Sequence, residues 1–191
     1  MELLTGLFSA FGLSVSAGLN AYIPLLVVGL MDRFTSLLEL SNPYDIVSNP
    51  AVLIALGALT VVEIVADKVP AVNHINDAIQ TFVRPTAGAL VFAASTSAAE
   101  LNPAVAVIAG LLVSGGVHAT KSTVVRPAVT ATTAGIGNTP VSAAEDVVAT
   151  VTSVLAVVAP ILVAILLLAF SYLIWRWVRR LTRRKREPTI T

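Results

Sequence analysis

The chain has 191 residues, 56% of them hydrophobic and 12% charged, against roughly 45–50% and about 25% in an ordinary soluble domain. Its mean hydropathy is +0.87, and a soluble fold of this size cannot hide so much apolar surface, which excludes a soluble enzyme, a secreted mini-domain and a disordered chain. There is no cysteine, so disulfides, thiolate metal sites and cysteine nucleophiles are excluded too, and what remains is an all-α integral membrane protein.

In chain order, residues 3–31 predict a first span, longer than the ~20 residues that cross a bilayer. Its start lacks the basic residues of a secretory signal, so no cleavage is expected. Ser14, Ser16, Gly18 and Asn20 interrupt it before Pro24, and Ser14 and Gly18 have the small-xxx-small spacing that lets another helix approach. The stretch 32–49 is hydrophilic and ends in Asn49-Pro50. Asparagine as N-cap with proline at the first helical position starts a helix, predicting a second span from Pro50 to Ala66. Asn102-Pro103 predicts another, ending near His118. Between them, Asn73, Asn76, Asp77 and Gln80 share one helical stripe and Val72, Ile75, Ile79 and Phe82 another, as in an amphipathic helix with a wet polar face, lying on the membrane or folded into the bundle mouth. The last span is expected at 147–175, kinked at Pro160, opened by a capping box of Ser142 and Glu145, and closed by a belt of Phe170, Tyr172, Trp175 and Trp177. A basic tail, 176–191, follows.

The chain also resembles itself. Asn49-Pro50-Ala51-Val52 recurs as Asn102-Pro103-Ala104-Val105, Lys68 aligns with Lys121, and Arg84-Pro85 with Arg126-Pro127. An internal duplication is inferred, with repeat one at 49–100 and repeat two at 102–145, inside a single membrane domain of 1–175. Each repeat ends in a short, weakly apolar segment, 85–99 and 127–141. If both cross, there are six transmembrane segments; if both are re-entrant hairpins, four. Six places eleven of the twelve basic residues on one side, which the positive-inside rule favours, with both termini in the cytoplasm.

Arg84 and Arg126 stand out as substrate-binding candidates, because each opens an interrupted segment at equivalent points of the repeats, and paired guanidiniums suit a carboxylate or phosphate. Snorkelling to the headgroups is the competing reading. Lys121, Asn20 and Asn138 are secondary candidates, as are Thr86 and Thr130. Glu63 and Asp67 lie four residues apart on one helix face, and an intramembrane carboxylate is either functional or an arginine partner. His74 and His118 match no ligand spacing, and no catalytic residue, metal or cofactor is expected. Arg176 to Arg186 reads as an anchor for anionic lipid headgroups, with no nucleic-acid partner expected.

Three stretches together carry a family resemblance: Gly18-Leu19-Asn20-Ala21-Tyr22-Ile23-Pro24, Asp67-Lys68-Val69-Pro70 on to Arg84-Pro85, and His118 to Arg126-Pro127 through Gly135 to Glu145. The chain resembles the bacterial membrane proteins catalogued as domain of unknown function 4126. The resemblance implies a multi-pass protein and no activity. The expectation from the residues is a small transporter- or channel-like protein of the bacterial inner membrane for an anionic or polar solute, in which a homodimer would supply the volume that one small chain lacks. The alternatives are a non-catalytic scaffold or assembly factor, or a membrane-embedded enzyme acting on a lipid phosphate.

Overall fold

A chain in hydrocarbon must satisfy its own backbone polar groups, and the computed structural model, which describes residues 2–68, 70–97 and 101–184, does so with helices and no strand among those residues. The helices are α1 (Glu2–Leu19), α2 (Tyr22–Phe34), α3 (Pro50–Ala66), α4 (Pro70–Thr96), α5 (Pro103–Thr120), α6 (Arg126–Thr133), α7 (Asn138–Val158) and α8 (Pro160–Arg184). A 3₁₀ turn, Tyr44–Ser48, precedes α3, and a π turn, Lys121–Val125, joins α5 to α6. Three stretches are long and apolar enough to cross a membrane, Pro50–Lys68, Pro103–Thr133 and Asn138–Val158, beside the shorter apolar Leu3–Leu19 and Pro160–Arg176. The chain is an all-α multi-pass membrane protein. Residues 98–100 at the end of repeat one and 185–191 of the basic tail lie outside the described residues, as does the His74 side chain.

Both Asn-Pro starts form as the sequence predicts. The Asn49 and Asn102 side chains each accept a hydrogen bond, from Ala51 N and Ala104 N, at 2.9 Å.

The first span does not form as one helix. The chain leaves the helix at Asn20, whose Oδ1 accepts from Tyr22 N and Ile23 N at 3.1 Å and so caps a new helix. That helix turns back. Ala21 lies against Glu63 near the end of α3, while a Cβ on Gly29 would sit 2.5 Å from the Val47 carbonyl oxygen, just before α3 begins. In the opposite sense, α1 runs from Ala10, packed with Phe92, to Gly18, where a Cβ would meet Val117 and the Ser114 carbonyl. The close approach expected at Ser14 and Gly18 is therefore made, to α4 and α5.

The last span is likewise two helices. Pro160 disfavours helical backbone at the residue before it, and Ala159 adopts φ −142°, ψ 63°. Ala156 and Val163 consequently both meet Gly12, so α8 folds back beside α7 instead of extending it through a kink. The capping box is not used. α7 begins at Asn138, and Ser142 and Glu145 bond elsewhere.

The two short segments differ from each other. Residues 85–96 are the second half of α4 and the centre of the bundle, with Ala87, Ala89, Val91, Phe92, Ala93 and Ala94 all buried. Segment 127–141 does not form one continuous helix as 85–96 does. It comprises α6, a turn with positive φ at Ala134 and Gly135, and the start of α7, and it is mostly exposed.

The tightest approach is between α4 and α5. A Cβ on Gly110 would stand 2.4 Å from the Gly88 carbonyl oxygen and 2.6 Å from Ala89 Cα, so backbone touches backbone. Gly110→Val must push these helices apart. Overpacking of this kind costs about 1–3 kcal/mol and sometimes more, which thermal unfolding in detergent will read; an unchanged melting temperature would contradict the contact.

Candidate functional site

The polar stripe read as wet turns inward at Asn76, Asp77 and Gln80 and helps build the site, while the Asn73 side chain lies outside the described residues. Ile75, Ile79 and Phe82 of α4 are exposed, whereas Gln80 is fully buried and Asn76 and Asp77 bond inward. A bilayer inverts the pattern of a soluble helix: the apolar face meets lipid and the polar face seeks partners within the protein.

Those partners are the residues the sequence singled out. Glu63, Asp67, Arg84, His118, Lys121 and Arg126 come together from α3 and the residue after it, α4, α5, the π turn and the start of α6, all 8% exposed or less. Arg84 donates to Glu63 Oε1 from Nη2 at 2.9 Å and from Nε at 3.2 Å, and reaches Asp67 Oδ2 at 3.4 Å. Asp67 Oδ2 also accepts from Arg126 Nη2 at 3.1 Å, Lys121 Nζ at 3.4 Å and Ser142 Oγ at 3.3 Å, and Oδ1 from Asn76 at 2.7 Å. One carboxylate thus gathers three cations.

The remaining partners widen the cluster. Lys121 Nζ pairs with Glu145 at 2.8 Å and donates to the Leu19 carbonyl at 3.2 Å, while Arg126 Nη1 donates to Asp77 at 3.1 Å. Lys68 Nζ bonds Asp146 Oδ2 at 3.1 Å, and Asn20 Nδ2 bonds Asp146 Oδ1 at 3.1 Å. Five carboxylates face four cations. Such matching is what low dielectric demands, because an uncompensated buried charge costs several kcal/mol.

Backbone irregularities converge on the same place. The Ala21 N–H, freed at the break between α1 and α2, donates to Glu63 Oε2 at 3.1 Å and Oε1 at 3.3 Å. A helix start offers such unsatisfied N–H groups to a negative charge. The π turn begins at Lys121 and is followed directly by Arg126. His118 Nδ1 lies 3.2 Å from Arg84 Nη1, and its Nε2 lies 3.2 Å from Thr81 Oγ1. Since guanidinium only donates, Nδ1 accepts, and the ring is the neutral tautomer that donates from Nε2 to Thr81.

The structure therefore brings together Arg84, Arg126, Lys121, Glu63 and Asp67, with Asn20 at the edge. It does not bring Asn138, which bonds Thr130 on the exposed side, nor Thr86, which is exposed and bonds its own helix at Phe82 O. Asp146 and Lys68 are cluster residues that sequence reasoning did not name as candidates, and Ser142 and Glu145 were placed in a cap. A signal for the acids was present: Glu145 and Asp146 are the only carboxylates between 101 and 158, where Lys121 and Arg126 need counter-charges. Among the described residues no group of three His, Cys, Asp or Glu is arranged to hold a metal ion.

A model of the family described as Domain of unknown function (DUF4126) matches residues 7–180. No curated protein and no solved structure matches the chain significantly.

Proposed function

This chain belongs to the DUF4126 family, whose description assigns no activity, and we propose from its buried charges that it is a transporter- or channel-like membrane protein for a small anionic or polar solute. The observation that carries the reading is the convergence of Arg84, Lys121 and Arg126 on Asp67 at a level where α1 turns back into α2 and a π turn interrupts the run from α5 into α6. Interrupted helices with a helix start aimed at an acidic group are the pattern of substrate sites in secondary transporters. Here Glu63 takes the acidic position, and the acidic group of a solute would displace it or Asp67 by exchanging ion-pair partners.

Orientation follows from the helix directions and the positive-inside rule. Lys68, Arg84, Lys121 and Arg126 share one end, toward which α8 sets out from Pro160 beside Thr5 and Ser9. We place that end and the basic tail in the cytoplasm of a bacterial cell and the start of α1 across the inner membrane, in place of the common side expected from an even number of spans. Arg179 lies over the Trp175 ring at 4.9 Å, which suits an interfacial anchor to anionic headgroups.

The test is flux of acetate, phosphate or the zwitterion glycine in liposomes. Arg126→Gln, at the cluster's more accessible rim, is expected to reduce it at least tenfold, about 1.4 kcal/mol of binding. Flux of all three solutes equal to that of the unaltered protein refutes the reading. A second reading, a scaffold clasped shut by the cluster, is favoured by the complete burial and pairing of Arg84; it predicts no flux at all.

A further inference from the structure

At the end opposite the charges, a cavity of about 240 Å³ lies between α1, residues 37–39, the last turn of α4 and the α7–α8 junction. Thr5, Ser9, Ser95 and Glu39 give its polar lining, and Leu38 and Val157 belong to its apolar lining. Ser95 is 8% exposed, and its hydroxyl has no hydrogen-bond partner. A buried hydroxyl left unbonded is costly, so it marks a place where a bound molecule completes the bonding.

The cavity and the cluster lie on one face of α4, separated by a packed column. Ser95 follows Arg84 by eleven residues, close to three helical turns, so both lie on one face. Between them Ser14 Oγ donates to the Gly88 carbonyl at 2.9 Å, and Ser114 Oγ to the Arg84 carbonyl at 2.7 Å. Leu13 and Val91, both fully buried, close the column.

We infer that this cavity is the outer vestibule of a path descending this face to Arg84, and that its solute is a small zwitterion bearing one carboxylate and one ammonium group. The inference rests on the transport reading and names its substrate class. Size comes first. At ~30 Å³ for each water-sized group, the vestibule holds about eight non-hydrogen atoms. Charge decides the rest. Glu39 is the one charged residue in its lining among the described residues, so the rim repels a free anion and attracts an ammonium. In the cluster, a lone anion that displaced Glu63 would leave a buried carboxylate uncompensated, whereas a zwitterion can offer a counter-charge to each group it separates.

The absence of cysteine makes the test clean, because Thr5→Cys and Ser95→Cys each introduce a single thiol. In proteoliposomes, a membrane-impermeant methanethiosulfonate reagent applied opposite the basic tail is expected to label both. Glycine should slow labelling several-fold, while acetate and methylammonium, each with one of its charges, should not. Thr5→Cys, at a half-buried position, gives the same readout if Ser95→Cys fails to fold. Unreactive thiols, or rates indifferent to glycine, overturn the vestibule. Arg126-dependent acetate flux without glycine protection keeps the transport reading and overturns the zwitterion. Glycine protection in a protein that moves no solute supports the vestibule and overturns transport.

Discussion

Arg84→Met is expected to destabilise the protein by about 3–5 kcal/mol, the cost of breaking a buried ion pair by removing one partner. The Arg84 side chain is fully buried and donates two hydrogen bonds to Glu63 Oε1. Methionine keeps much of the length but leaves Glu63 with one backbone N–H, that of Ala21, to hold its charge. The double variant Arg84→Met/Glu63→Gln removes both charges and should recover most of the loss, since a buried pair replaced as a unit is often close to neutral. Denaturation in detergent, followed by circular dichroism, measures both variants. A double variant no more stable than the single one would mean that the guanidinium acts through packing rather than charge.

Asp67→Asn is the second large effect. The substitution conserves shape and retains an oxygen for Asn76, but it removes the negative charge shared by Arg84, Lys121 and Arg126. Arg84 keeps Glu63, Lys121 keeps Glu145 and Arg126 keeps Asp77, so each cation loses one carboxylate and keeps another. Three buried cations around a neutral amide repel one another in low dielectric, and a loss of about 3–5 kcal/mol is expected. Asp77→Asn is the comparison. Its side chain is 22% exposed, and pairs at a wet rim contribute roughly 0–1 kcal/mol. Equal losses for the two variants, in the same denaturation assay, would show that the cations do not converge on Asp67.

Much of this was legible because it depends on near neighbours in the chain. A cap involves residues two or three positions apart, so Asn49-Pro50 and Asn102-Pro103 mark the starts of α3 and α5 wherever the helices pack. The candidacy of Arg84, Arg126, Lys121, Glu63 and Asp67 was also readable, since a charge in an apolar context must find a partner. Asn138 lies apart from the cluster because its apparent place in a repeated segment depended on 127–141 folding like 85–96. Local chemistry separates them: Thr130, Thr132, Thr133 and Gly135 favour a short helix and a turn, whereas Ala87 to Ala94 can pack against neighbours on every side.

By itself the sequence determined that this is an all-helical membrane protein, where two of its helices begin, and which charges need compensation; those follow from composition and contacts within a turn. Only the tertiary structure decided that α1 and α2 fold back at Asn20, that α8 returns beside α7, and that the polar stripe of α4 faces inward. An uninterrupted apolar run reads the same whether straight or reversed, and a two-faced helix does not state which face meets lipid. What settles both is the joint requirement that every buried charge find its opposite, and those opposites lie on helices far apart in the chain.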